Sequence, residues 1–239
     1  MITQDTIQNL ANKYQTSELN VRREYVQHLF LSYFYQQEET SEIYFKGGTA
    51  LRIVYNSPRF SEDLDFSASF YDITHIENAI LNALKEIERE GIVAEIKESK
   101  KTTGGYLGIL HFILNEETIL IQIEISKREG ERSGEVATIN NDFIPSYTLV
   151  AFSQKNLIAE KIQALLSRQK PRDFYDLYFI LRANLLPTEE RHILSKVLET
   201  LQSAKINFEQ ELKQFLPKSH WAIIRDFKAT LEREIGRFS

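Results

Sequence analysis

Two short motifs carry residue types that could do chemistry, Lys46-Gly47-Gly48-Thr49 and, shortly after, Ser61-Glu62-Asp63-Leu64-Asp65-Phe66. Consecutive glycines let a backbone come close to a ligand. At a helix start, unpaired N–H groups favour phosphate. Asp63 and Asp65 are spaced i, i+2, which on a strand sets both carboxylates on one face and turns Leu64 to the other. Paired hard oxygen donors on a rigid strand suit Mg²⁺ that also holds substrate phosphates. A third acid, Glu124, lies in an alternating run in which Ile119, Ile121, Ile123 and Ile125 take one face and Leu120, Gln122, Glu124 and Ser126 the other. If that strand neighbours the Asp-x-Asp strand, three carboxylates converge, and a cation would cancel their repulsion. Each piece also has a plainer reading. A Gly-Gly pair can be only a turn, Asp-x-Asp is common on solvent faces, and Glu124 on a wet face could pair with Lys127 or Arg128. Their order along the chain, flanked by apolar strand residues, is what makes the combination specific.

A second group lies further on. Lys161 and Arg168 are two helical turns apart and share a face that could grip a triphosphate. Pro171 suits a helix start, and Asp173 suits the N-terminal end of the helix dipole. Asp173 and Asp176, at i and i+3, could instead hold Arg172 or Lys161 in a defined rotamer. Basic clusters at 97–101, 127–132 and 168–172 could add local phosphate contacts; for the first two, solvated surface is the default.

The elements that must position these residues follow from periodicity. Residues 1–40 are helical in pattern, with Val21, Tyr25, Leu29 and Tyr33 at i, i+4 steps. Ile43-Tyr44-Phe45 reads as a strand, the Gly-Gly stretch as a tight turn, the next residues as one or two helical turns, and Asp63 to Phe66 as a second strand. Residues 73–90 form an amphipathic helix, with Ile76, Ile80, Leu84 and Ile87 on one stripe and Gly91 as its stop. Strands follow at 92–96, 106–114 and 118–126. From about Ser153, helices are predicted at 153–168, 172–183, 188–203, 207–215 and 218–235, in which Trp221, Phe227 and Leu231 read as core and not as a base-stacking platform. The expected organisation is therefore an α/β domain with N-terminal helices over 1–150 and a helical C-terminal domain over 151–239, α+β in class.

Composition removes other classes. The 239 residues carry 29 Lys and Arg against 34 Asp and Glu, a net charge of −5, so any attraction to nucleic acid must be local. No cysteine is present, which removes thiol catalysis and zinc-thiolate sites and fits a reducing compartment. The five histidines (His28, His75, His111, His192, His220) form no zinc-binding pair. Neither Gly-Lys-Ser/Thr nor Gly-x-Ser-x-Gly occurs, against a P-loop NTPase and a serine hydrolase. The N-terminal stretch has neither a basic nor an apolar leader region, and no apolar run reaches a membrane span. The expectation is a soluble cytoplasmic protein without a membrane partner.

The segments GGTALR, RFSEDLDFS, IEIS, AEKIQALLSR and KPRDFYDL, from Ile43 to Leu181, resemble the AbiEii/AbiGii-type nucleotidyltransferases. These are the toxins of type IV toxin–antitoxin and abortive-infection systems, in the DNA polymerase β-like superfamily. Gly47, Gly48, Asp63 and Asp65 match the superfamily pattern; the spacer from Thr49 to Glu62 is slightly longer than usual, and Glu124 stands where Asp is commoner. The resemblance implies a nucleotidyltransferase fold, a mixed sheet flanked by helices, with a helical C-terminal domain. It implies Mg²⁺-dependent transfer of a nucleoside monophosphate from an NTP to an acceptor hydroxyl, with RNA such as the tRNA 3′ end as acceptor and a cognate antitoxin as partner. Asp63, Asp65 and Glu124 would bind the metal, with Glu124 helping to deprotonate the acceptor. Lys161, Asp173 and Asp176 would complete the catalytic set. Lys46, Gly47, Gly48, Thr49, Arg59, Ser61, Lys161, Arg168 and Arg172 would form the nucleotide-binding set. Two other readings use the same residues, a protein-modifying nucleotidyl- or phosphotransferase and a non-enzymatic partner-binding scaffold; against the scaffold, all three acids and both glycines are present.

Overall fold

The structure, a computed structural model, describes residues 1–68, 72–127 and 133–238. The chain divides into two compact units, one of Met1–Asn56 with Phe60–Ser153, the other of Ser57–Arg59 with Gln154–Ser239.

The first unit opens with two capped helices. Thr3 accepts from the N–H of Thr6 at the start of α1 (Gln4–Tyr14), and Ser17 accepts from that of Asn20 at the start of α2 (Glu18–Phe34). Then come β1 (Ile43–Lys46), α3 (Gly47–Ile53), β2 (Leu64–Ala68), α4 (Ile73–Arg89), β3 (Val93–Thr102), β4 (Gly105–Leu114), β5 (Glu117–Lys127), β6 (Gly134–Ile139) and β7 (Tyr147–Phe152). Val21, Tyr25 and Leu29 are buried as their spacing predicts, but so are Val26, Phe30, Leu31 and Phe34. The helix is covered nearly all round because α1, α4 and the sheet all pack on it. The α4 stripe of Ile76, Ile80, Leu84 and Ile87 is buried as predicted, and Gly91 ends the helix with φ +85°.

Among the described residues the strands form one mixed sheet in the order β3-β4-β5-β2-β1-β7-β6. The β3–β4–β5 meander is antiparallel, β5 pairs parallel with β2, β2 antiparallel with β1, and β1 parallel with β7. The four isoleucines of β5 are fully or almost fully buried, while Leu120 and Glu124 on the opposite face are exposed. Two features depart from the sequence reading. β3 runs on to Thr102 through the basic cluster, as a charged edge strand whose Lys97 and Lys100 each lie 2.5 Å from a glutamate two residues earlier, Glu95 and Glu98. The remaining basic cluster of the first unit lies, beyond Lys127, outside the described residues. The reading also placed no element between Ser126 and Ser153, where β6 and β7 occur. β7 joins the sheet through Phe45 opposite Ala151, a pairing distant in sequence that local pattern does not announce.

The second unit contains α5 (Gln154–Arg168), α6 (Pro171–Arg182), α7 (Leu194–Ser203), α8 (Phe208–Leu212), α9 (Trp221–Arg225) and α10 (Phe227–Ile235). Pro171 is the first residue of α6, where its missing N–H costs nothing. The core is aromatic: Phe227 stacks on Tyr175 at 5.8 Å and lies 4.9 Å from Phe208, which meets Phe174 edge-on at 5.6 Å. Phe227 and Leu231 are buried, and the half-buried Trp221 donates its indole N–H to the Leu216 carbonyl. The helix predicted over 218–235 is broken at Asp226, whose backbone (φ −124°, ψ 50°) leaves the helical region between α9 and α10. Among the described residues no helix is long and apolar enough to cross a membrane.

Ile123 is fully buried, opposite Leu64 of β2. Ile123→Ala is expected to destabilise the protein by about 2–5 kcal/mol, read as a lower urea midpoint with an unchanged m-value.

Candidate active site

In the first unit the site grows from the junction of β1 and α3. Lys46 is in extended conformation, and the helix starts directly at Gly47, whose φ is +84°. A methyl group at Gly47 would collide with the Asp65 carboxylate, so the absence of a side chain is what lets the β2 acid lie against the helix start. Asp65 stands opposite Lys46 of β1 and opposite Glu124 of β5. Residues opposed across a ladder share a face, so Lys46, Asp65 and Glu124 form one row across three strands. Leu64 and Phe66 point the other way and are fully buried. Asp63 lies one residue before β2, and its carbonyl accepts the hydroxyl proton of the buried Thr49. Gln122, on the same face of β5 as Glu124, donates to one of its carboxylate oxygens at 2.7 Å. Gln122 thus takes the place given to Lys127 or Arg128 in the sequence reading, and Arg128 lies outside the described residues.

Among the described residues no group of three or more His, Asp and Glu side chains is gathered closely enough to hold a metal ion. What register brings together is a pair of carboxylates, Asp65 and Glu124, beside a helix start. Mg²⁺ keeps several waters and takes only one or two carboxylates when substrate phosphates complete its shell, so the chemistry of this donor set fits a cation that arrives with a nucleotide.

The other candidate residues lie in the second unit. Asp176, 1% exposed, accepts from the guanidinium fork of Arg59 at 2.7 and 3.0 Å and from the Lys161 ammonium at 2.7 Å. Asp173, also buried, accepts from Arg168 at 2.9 and 2.7 Å and from the Lys170 N–H, capping α6. The geometry gives both carboxylates a structural task. Asp176 holds Lys161, one of the partners anticipated for the pair, while Asp173 holds Arg168, and Arg172 lies 3.7 Å from Glu211 instead. Arg59, placed in the nucleotide-binding set, has its fork committed to Asp176. Arg168 keeps about half its side chain exposed. No local sequence pattern links Arg59 to Asp176, which are 117 residues apart.

Lys46, Asp65 and Glu124 thus share one row of a mixed sheet, beside a helix that begins with Gly-Gly, and the fold that carries them is that of solved nucleotidyltransferase toxins. The same fold occurs in MenT4, a nucleotidyltransferase toxin of Mycobacterium tuberculosis H37Rv, with a TM-score of 0.71 at 18% identity over 100% of this chain and 90% of that one. It occurs too in JHP933 of Helicobacter pylori, with a TM-score of 0.60 at 20% identity over 93% and 95%. Comparison with curated protein sequences gave no match. Residues 29–235 match the family described as nucleotidyl transferase AbiEii toxin, type IV TA system. The chain belongs to this AbiEii nucleotidyltransferase toxin family.

Two predictions follow from the geometry. Gly47→Ala forces a side chain into a left-handed backbone position and against Asp65, and is expected to lower stability by more than about 1 kcal/mol in thermal unfolding. For Asp176, burial raises the carboxyl pKa, but Arg59 and Lys161 outweigh it and hold it down at about 2. A carboxyl depressed on folding adds stability that is present above its unfolded value and lost as pH falls through the folded one. Asp176→Asn is therefore expected to be less stable than wild type near neutral pH, with the gap in urea midpoints closing between about pH 4 and about pH 2.

Proposed function

We propose that this nucleotidyltransferase moves a nucleoside monophosphate from an NTP to a hydroxyl of RNA, at the tRNA 3′ end, releasing pyrophosphate, and that a cognate antitoxin counteracts it in the cytoplasm. The observation that carries the transfer reading is the Asp65–Glu124 register beside the Gly47 helix start. Asp65 and Glu124 are the pair that would hold Mg²⁺, and Asp63, just ahead of the strand, is the third acid that the family resemblance assigns to it. Bound there, the ion would neutralise phosphate charge during in-line displacement. Backbone N–H groups at Gly47 and Gly48 bind the β- and γ-phosphate oxygens. Glu124 takes the proton of the acceptor hydroxyl as its oxygen bonds to the α-phosphorus and the α–β bridging P–O bond breaks. Gln122 holds the second Glu124 oxygen, which keeps the carboxylate oriented. In the second unit, Asp176 sets the Lys161 ammonium and Asp173 the Arg168 guanidinium in place. The RNA acceptor is supported by family membership together with the resemblance of the motifs. With a net charge of −5, RNA contacts are few, and the salt dependence of binding is correspondingly shallow.

The test is incubation with each α-labelled NTP, Mg²⁺ and either total RNA or total protein. Label is expected in tRNA. It should fall at least about 100-fold in Asp65→Asn and in Glu124→Gln, both with wild-type urea midpoints, and vanish with EDTA. Label in protein alone would overturn the RNA acceptor, and full transfer by a folded Asp65→Asn protein would overturn the site.

A further inference from the structure

The stretch that leads into the acidic strand, Ser61-Glu62-Asp63, belongs to no helix or strand, so its backbone has no ladder to hold it. Three consecutive carbonyls there are nevertheless met by side-chain donors from two helices of the same unit. Gln27 of α2, 1% exposed, uses its amide nitrogen to donate to the carbonyl of Ser61 at 3.1 Å and to that of Glu62 at 3.0 Å. Thr49 of α3, fully buried, donates its hydroxyl to the carbonyl of Asp63. One turn before Gln27 on the same helix, Arg23 reaches the Glu62 carboxylate at 3.3 Å. A buried polar side chain generally satisfies some backbone group. Here three successive groups are met, directly ahead of the two aspartates.

We infer that Gln27 and Thr49 are positioning residues that set where Asp63 and Asp65 stand. This rests on the reading of those aspartates as the reacting site. Asp65 is placed by the β1 and β5 ladders, but Asp63 lies outside them, and its position depends on the path of the chain into β2. Gln27 fixes that path from α2, and Thr49 fixes it from the helix that begins with the glycines. Thus the phosphate-binding turn and the acids are tied to one frame. The Thr49 hydroxyl donates to the Asp63 carbonyl, so its side chain serves the acids. Displacing a reacting group by about 1 Å can cost on the order of 100-fold in rate.

The discriminating variants keep volume and change donors. Thr49→Val keeps the shape and removes the hydroxyl, Thr49→Ser keeps the hydroxyl, and Gln27→Leu removes the amide donor. In nucleotide-free protein, amide exchange at residues 62–65 is expected to quicken at least about 10-fold in Thr49→Val and Gln27→Leu, with distant amides unchanged, and to stay near wild type in Thr49→Ser. In the transfer assay the same two variants are expected to lose about 10-fold or more in kcat, with KM for NTP within about twofold. Unchanged exchange at 62–65 in folded Thr49→Val and Gln27→Leu overturns the inference, as does equal loss in Thr49→Ser and Thr49→Val. If Gln27→Leu does not fold, the Thr49 pair decides alone. Because exchange is read without substrate, failure of the clamp is distinguishable from failure of the site, which would show as full activity in Asp65→Asn.

Discussion

The parallel pairing of β2 with β5 in one register is the constraint on which the rest depends. Asp65 stands opposite Glu124 only because Leu64 stands opposite Ile123 and Phe66 opposite Ile125, and those four apolar side chains are buried. A slip of β2 by one residue would turn its apolar side chains out and the Asp65 carboxylate in. Burying unpaired carboxylates is far costlier than losing aliphatic contacts. The hydrophobic core therefore does the aligning, and the two acids gain their proximity from it. Gly47 serves the same alignment from the other edge of β2, since only a residue without a side chain leaves room for the Asp65 carboxylate.

The helical unit solves a different problem. Asp176 and Asp173 are buried acids, and each is met by a forked guanidinium, with Lys161 added at Asp176. Buried pairs of this kind add little net stability over an apolar core but penalise any arrangement that leaves one partner alone. They fix the rotamers of Lys161 and Arg168. The three-residue segment Ser57–Arg59 is held in this unit through Asp176, although its neighbours in sequence on both sides belong to the other.

Much of the first unit was legible because its signals are local and repetitive. The alternation of β5 and the 3.6-residue stripe of α4 each involve residues a few positions apart, and the structure has them where the pattern puts them, while the expected Gly-Gly turn is the first turn of α3 itself. The elements missed are those whose reason is distant. β7 exists as a strand because β1 accepts it as a neighbour, and α2 is buried nearly all round because three elements converge on it. Gln27 carries no signal at all in sequence: a glutamine in a helix reads as surface until Ser61 and Glu62 are found beneath its amide.

The chain by itself determined which residues are chemically capable and which face of each element they occupy, because side-chain type and periodicity are properties of neighbouring positions. It thereby determined the α+β class, the acidic strand, the isoleucine face and the resemblance to nucleotidyltransferases. Only the tertiary structure decided who meets whom. It set Glu124 beside Asp65, gave Asp176 to Arg59 and Lys161, and turned the Thr49 hydroxyl to the Asp63 carbonyl. Those pairings bring together positions far apart along the chain, and they are selected by the burial of the whole core, not by any single segment's preference.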